Sequence, residues 1–195
     1  MAANPNDLDA YVGRATSYSN LKENDKAIAD FTEAIRLNPE LGEIYPTRGV
    51  SYMLLGKHDK GIADFNEAIR LNPEDADSYR GRGLGYSNLG EHDKAIADFN
   101  EAIRLNPEDA DSYKQRGLVY GVLEEFDKAI ADFNETIRLN PEDAESYKLR
   151  GLTYGFLEEN DKASVDLYKA ADLYQQQGDT EGYQRTLSLI EDWNL

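Results

Sequence analysis

The stretch IADFNEAIRLNPED fills Ile62 to Asp75 and returns verbatim from Ile96 to Asp109. Asn-Pro pairs keep the same beat along the chain, at Asn4-Pro5, Asn38-Pro39, Asn72-Pro73, Asn106-Pro107 and Asn140-Pro141, each 34 residues after the last. A fixed period of this size marks stacked supersecondary units, each of which buries its apolar face only against its neighbours. Framed from Leu8, Gly42, Ala76, Ala110 and Ala144, the chain holds five repeats: 8–41, 42–75, 76–109, 110–143 and 144–177. Positions 1 to 34 are counted within each.

Two helices fit in a repeat. In repeat 3 the first, helix A, places Tyr79, Gly83, Tyr86 and Leu89 on one face at a 3.6-residue period. The second, helix B, is expected to open at Asp93 as its N-cap and to bury Ile96, Phe99, Ala102 and Ile103. Pro107 follows the last apolar residue and belongs where a helix stops or starts. No strand pattern is present. Small residues recur where helices must approach: Ala15, Gly49, Gly83, Gly117 and Gly151 at position 8, and Ala27, Gly61, Ala95, Ala129 and Ala163 at position 20. A mid-helix glycine costs about 0.5–1 kcal/mol against alanine, so its recurrence points to close packing that offsets the loss.

Composition narrows the function classes. A net charge of -17 and a pI near 4.4 argue against a nucleic acid or an anionic membrane as partner. The absence of cysteine excludes disulfides and thiol chemistry. With neither a signal peptide pattern nor an apolar run of about 18 residues, a soluble, cytoplasmic protein without cofactor is expected.

An aromatic residue at position 4, a small one at 8, Tyr at 11, Ala or Gly at 20, Phe at 24, Ala at 27 and Pro at 32 resemble the tetratricopeptide repeat, over roughly Asn4 to Leu173. The resemblance implies an all-α fold, a right-handed superhelical α-solenoid of antiparallel helix pairs forming one domain over 1–195. Helix A would line a concave groove and helix B the convex back. Such a protein would be a non-enzymatic scaffold for a peptide, a helix or a partner surface.

Position 7, often Leu in that family, is here Arg14, Arg48, Arg82, Arg116 and Arg150, and position 23 is Asp30, Asp64, Asp98, Asp132 and Asp166. A structural ladder of Arg–Asp pairs is the favoured reading. The alternative is a row of guanidinium groups that grips a carboxylate ligand.

The ends differ from the middle. Asn4-Pro5 is the tail signature of a repeat that is not present, which suggests an array cut from a longer protein, or an accessory domain of one. An uncapped first repeat would also permit end-to-end self-association. Thr180 to Asn194 reads as a terminal capping helix, with Tyr183, Leu187 and Ile190 on its apolar face and Trp193 in its docking.

Catalytic and metal chemistry find little support. His58 and His92 both fall at position 17, read as solvated A–B turn residues about 10 Å apart by ordinary helix spacing. One metal ion needs ligands within about 2 Å. The acidic junctions Glu74, Asp75 and Asp77, Glu108, Asp109 and Asp111, and Glu142, Asp143 and Glu145 read as helix capping rather than cation sites.

Variation is the better guide to a partner. Repeats 3 and 4 differ only at positions 5, 6, 10, 12, 13, 15, 17 and 27. The resemblance places positions 2, 5, 9, 12 and 13 on the groove wall. There Arg80, Lys114 and Lys148 form a basic row at position 5, behind acidic residues at position 2. Leu84, Leu118, Val122, Leu152 and Phe156 form an apolar stretch, joined by Leu149. These nine residues are the candidate partner site, suited to an apolar segment with acidic residues facing the basic row. The family's clamp for chaperone C-terminal carboxylates needs Asn at position 9 and Lys at position 2. Here position 9 is Thr16, Val50, Leu84, Leu118 or Leu152, and position 2 is always acidic, so that clamp is absent.

Overall fold

The computed structural model describes residues 7–194; the Asn4-Pro5 pair lies outside them. Contacts gather the helices into two bodies, 1–105 and 106–195. The first holds α1 (Leu8–Asn20), α2 (Asn24–Leu37), α3 (Ile44–Leu54), α4 (His58–Leu71), α5 (Ala76–Asn88) and α6 (His92–Leu105). The second holds α7 (Ala110–Val122), α8 (Phe126–Leu139), α9 (Ala144–Phe156), α10 (Asn160–Gln177) and α11 (Thr180–Asp192). Among the described residues every regular element is a helix, and each helix A packs on the helix B that follows it.

The repeat grammar explains the local boundaries. Helix A ends at a left-handed residue at position 15, occupied by Lys22, Gly56, Gly90, Glu124 and Glu158. That residue reverses the chain, so position 16 caps helix B and position 17 is already helical. Asp93 is therefore not the expected N-cap: α6 opens at His92, and Asp93 sits in its first turn, where a carboxylate still suits the helix dipole. The two histidines are likewise the first residues of α4 and α6, half-buried rather than solvated in a turn. His58 Nδ1 lies 3.4 Å from Met53 Sδ, and His92 Nδ1 is buried without a partner. At the junctions Asp75, Asp109 and Asp143 are N-caps, each accepting the hydroxyl of the serine three residues on.

Phe31, Phe65, Phe99, Phe133 and Leu167, all at position 24, form the centre of the repeats and are almost wholly buried. They explain the small residues at position 8. A Cβ on Gly83 would stand 2.8 Å from the Phe99 ring, and one on Gly117 2.9 Å from Phe133. The flanking Ala27, Ala95, Ala129 and Ala163 have no exposed surface. Truncating one of these phenylalanines to alanine would cost about 3–5 kcal/mol.

The arginine row is a ladder. Arg82 donates from Nε and Nη2 to the two carboxylate oxygens of Asp98 at 2.8 and 2.7 Å, and the other four pairs repeat this fork. Nη1 reaches the preceding repeat: Arg48 to Thr32 at 3.0 Å, Arg82 to Asn66 at 2.7 Å and Arg150 to Asn134 at 2.5 Å. Each of these three side chains joins its own helix A, its own helix B and the helix B before it. A tyrosine at position 4 lies against each guanidinium, as Tyr79 does at 5.5 Å from Arg82. The hydrogen bond it donates to Asp98, working against burial, holds the Arg82 guanidinium above its ordinary pKa. With both prongs turned onto protein carboxylates, the row is architecture.

The C-terminal helix α11 packs on α10 of the second body. Gly178, at φ +74°, ends α10, and Asp179 caps α11 by accepting from Gly182 N at 2.9 Å. Ile190 and Thr186 are buried, and Tyr183 packs on a cluster of Ala144, Ala170, Leu173 and Tyr174. Trp193 lies over Gly155, where any Cβ would collide with its ring, and meets Phe156 edge-on at 6.0 Å.

Candidate partner-binding cleft

Five of the nine residues expected at the partner site converge in the second body. Leu118 and Val122 of α7 face Leu149, Leu152 and Phe156 of α9 across an apolar cleft of about 220 Å³. The five project together because positions 6, 9 and 13 share one face of helix A at helical spacing, and neighbouring repeats bring two such faces side by side. Val122 is 67% exposed and Phe156 66%, although both are large apolar side chains. Leu118, at 36%, is less open. Apolar surface gathered in this way marks an interaction site more often than a single exposed leucine does.

Four further residues line the cleft. Phe126 and Phe133 of α8 close its side, and Gly121 and Thr153 complete it. Phe126 stacks on Phe156 with ring centres 5.8 Å apart and planes 10° from parallel. With Trp193 on the other flank, Phe156 is the middle of a three-ring row. The signal for Phe126 is present in the sequence, since position 17 is Asn24, His58, His92 and Asn160 elsewhere. Assigning position 17 to a turn conceals it. Gly121 differs from the packing glycines: a Cβ built there meets no atom within 4 Å. The fold does not need a glycine at this place, and its absence of a side chain leaves the cleft open.

The remaining four residues do not join this cleft. Leu84 is a half-buried residue of α5 in the first body. Arg80 pairs with Asp77 at 2.7 Å. Lys114 is held by Asp143 at 3.2 Å and Asp111 at 3.3 Å. Burial works to lower the Lys114 pKa, but these two carboxylates outweigh it and keep the ammonium above its ordinary value. Lys148 bonds Glu145 at 2.7 Å and lies over the Tyr174 ring at 5.7 Å. The basic row is thus already engaged by the chain's own carboxylates, and an acidic partner would have to displace them. Tyr174 donates its hydroxyl to the same Glu145, and burial together with that carboxylate pushes its pKa up.

Beyond Phe126 the surface turns acidic. A second depression, of about 280 Å³, is lined by Glu124, Glu125, Asp127 and Lys128, with Phe126 and Leu157. Lys128 is paired with Glu125. Among the described residues no cation lies within ion-pair distance of Glu124 or Asp127. Among the same residues no cluster of three histidine or carboxylate side chains is placed to hold a metal ion, and no helix is long and apolar enough to cross a membrane.

A model of the tetratricopeptide repeat matches residues 8–41, 47–75, 76–109 and 110–143. The chain belongs to the tetratricopeptide repeat family. A comparison with curated proteins finds no match. Among solved structures, the protein is similar to a crystal structure of MamA, at 27% identity over 85% of this chain and 96% of that one, with a TM-score of 0.78. It is similar to YrrB, described as a tetratricopeptide repeat protein with an unusual peptide-binding site, at 24% identity and a TM-score of 0.72 over 95% of this chain and 94% of that one. It also matches TTC0263, a thermophilic tetratricopeptide repeat protein of Thermus thermophilus, at 22% identity and a TM-score of 0.74 over 94% and 98%. Family and architecture together support a protein-interaction scaffold.

Proposed function

We propose that this tetratricopeptide repeat protein is a non-enzymatic scaffold that binds a peptide or helix of a protein partner in the cleft between α7 and α9. The observation that carries the proposal is the convergence of Leu118, Val122, Leu149, Leu152 and Phe156 on one opening, with Val122 and Phe156 about two-thirds exposed. Holding such side chains in water forgoes roughly 1.5–3 kcal/mol each relative to burial, and a docked segment recovers part of that. Preorganised helices supply the anchor pocket at small ordering cost. The similarity to YrrB, whose description names a peptide-binding site, is consistent with this use of the fold.

Selection from a random displayed-peptide library tests the proposal. Peptides that bind the wild-type protein should lose binding to a Val122→Glu variant, changed at a position that is 67% exposed and outside the aromatic row. Selected peptides that bind this variant as well as wild type would overturn the site.

A further inference from the structure

The cleft and the acidic depression beside it are built from the same few departures in the repeat grammar. Of the eight positions at which repeat 4 departs from repeat 3, four fall here: Gly121 for Ser87, Val122 for Asn88, Glu124 for Gly90 and Phe126 for His92. Three of them open or line the apolar cleft, and the fourth supplies a carboxylate to its neighbour. Phe126 lines both, so the apolar cleft and the depression that holds Glu124 and Asp127 share a wall. The cationic side of the nearby surface is already spent, because Lys114, Lys128 and Lys148 each hold a carboxylate of this chain. Residues 106–195 carry nine Lys and Arg against twenty Asp and Glu, so the long-range field around the cleft is negative as well.

We propose that the partner segment is apolar and basic: one or two bulky apolar side chains seated between Leu118, Val122, Leu152 and Phe156, with a Lys or Arg within a helical turn of them that meets Glu124 and Asp127. This rests on the cleft being a docking site, as proposed above. It reverses the charge expected from the basic row alone, which pointed to an acidic partner. The cleft's 220 Å³ suits an anchor side chain rather than a drug-sized ligand, for which roughly 300–1,000 Å³ is usual. Apolar anchoring then supplies affinity, while the carboxylates steer the approach and select against acidic competitors.

Three short acetylated and amidated peptides, fluorescein-labelled, test this by anisotropy at low ionic strength. The first carries leucines at three- and four-residue helical spacing with lysines elsewhere; the second replaces the lysines by glutamates; the third replaces the leucines by serines. The leucine–lysine peptide should bind at least ~10-fold tighter than either of the others, two rim ion pairs being enough for the charge part. Gly121→Leu, which fills the cleft where no atom stands in the way, should abolish that binding with the far-UV spectrum unchanged. Glu124→Lys/Asp127→Lys should weaken the leucine–lysine peptide and strengthen the leucine–glutamate one. Asp59→Lys, at the same helix position as Asp127 but in repeat 2, should change neither.

Equal binding of the leucine–lysine and leucine–glutamate peptides, both blocked by Gly121→Leu, would overturn the basic-partner proposal while leaving the cleft as a docking site. Binding that ignores Gly121→Leu but falls with Asp59→Lys would show diffuse attraction to an acidic protein and overturn it too. If neither leucine peptide binds, the docking site falls together with the proposal.

Discussion

Removing one arm of the arginine ladder should cost far more stability at repeat 3 than at repeat 1. Arg82 and Asp98 form a two-pronged pair at 2.8 and 2.7 Å, with the side chains only 20% and 8% exposed. One-sided removal of a fully buried pair costs about 3–5 kcal/mol, and of an exposed pair about 0.2–1. At the intermediate burial here, Arg82→Met should therefore lose about 2–3 kcal/mol, because Asp98 is left partly desolvated with no counter-charge. Arg82→Met/Asp98→Leu removes both charges and should recover most of that loss. Arg14, with its side chain 51% exposed, has water to replace its partner, so Arg14→Met should be markedly milder. Urea unfolding followed by far-UV circular dichroism gives the energies, and amide hydrogen exchange locates the weakened repeat. If Arg82→Met leaves the unfolding midpoint untouched but abolishes capture of a selected peptide, the ladder reasoning is wrong and the row is a ligand clamp.

Other expectations concern the packing glycine at the end of α9 and the buried tyrosine of α10. Gly155→Ala should expel the Trp193 ring, which occupies the space its methyl needs; the only tryptophan would then shift its emission to the red, and an unchanged spectrum would contradict the docking. Tyr174 keeps its proton to higher pH in the fold than in the unfolded chain, since burial and Glu145 both disfavour the phenolate. Its stabilising effect is complete below about pH 10, where the unfolded tyrosine titrates, and declines as pH rises above that. Tyr174→Phe should therefore flatten the alkaline loss of stability in a urea titration series, whereas an identical pH profile would show that the group is not perturbed. Gly83→Leu, whose Cβ starts 2.8 Å from Phe99, should destabilise by about 1–3 kcal/mol by overpacking, and a thermal midpoint equal to wild type would refute the tight contact.

Much of this architecture is legible in the sequence because the repeats restate one another. The small residues at position 8, the phenylalanines at 24 and the Arg–Asp pairing all follow from recurrence, and the helix boundaries fall within a residue or two of the frame. What recurrence hides is the chemistry of polar positions that become internal. Ser78, Ser112 and Ser146 look like surface residues, yet all three are fully buried, each giving its hydroxyl to the aspartate that caps its own helix. The basic row misleads for a different reason. Sequence spacing shows Lys114 beside Asp111, but its second partner, Asp143, is 29 residues away and enters only through folding. One residue of helix boundary separates Phe126 from its turn assignment, and with it goes the shared wall between the apolar cleft and its acidic neighbour. Leu149, Leu152 and Phe156 are readable because their helix A spacing survives folding unchanged.

The most direct measurement of the docking claim is a methyl-resolved NMR titration with a peptide selected for binding. Shift changes should concentrate on the methyl groups of Leu118, Val122, Leu149 and Leu152, and Val165 on the exposed face of α10 should stay still. A titration that moves Val165 and leaves those four methyl-bearing residues unchanged would contradict the account.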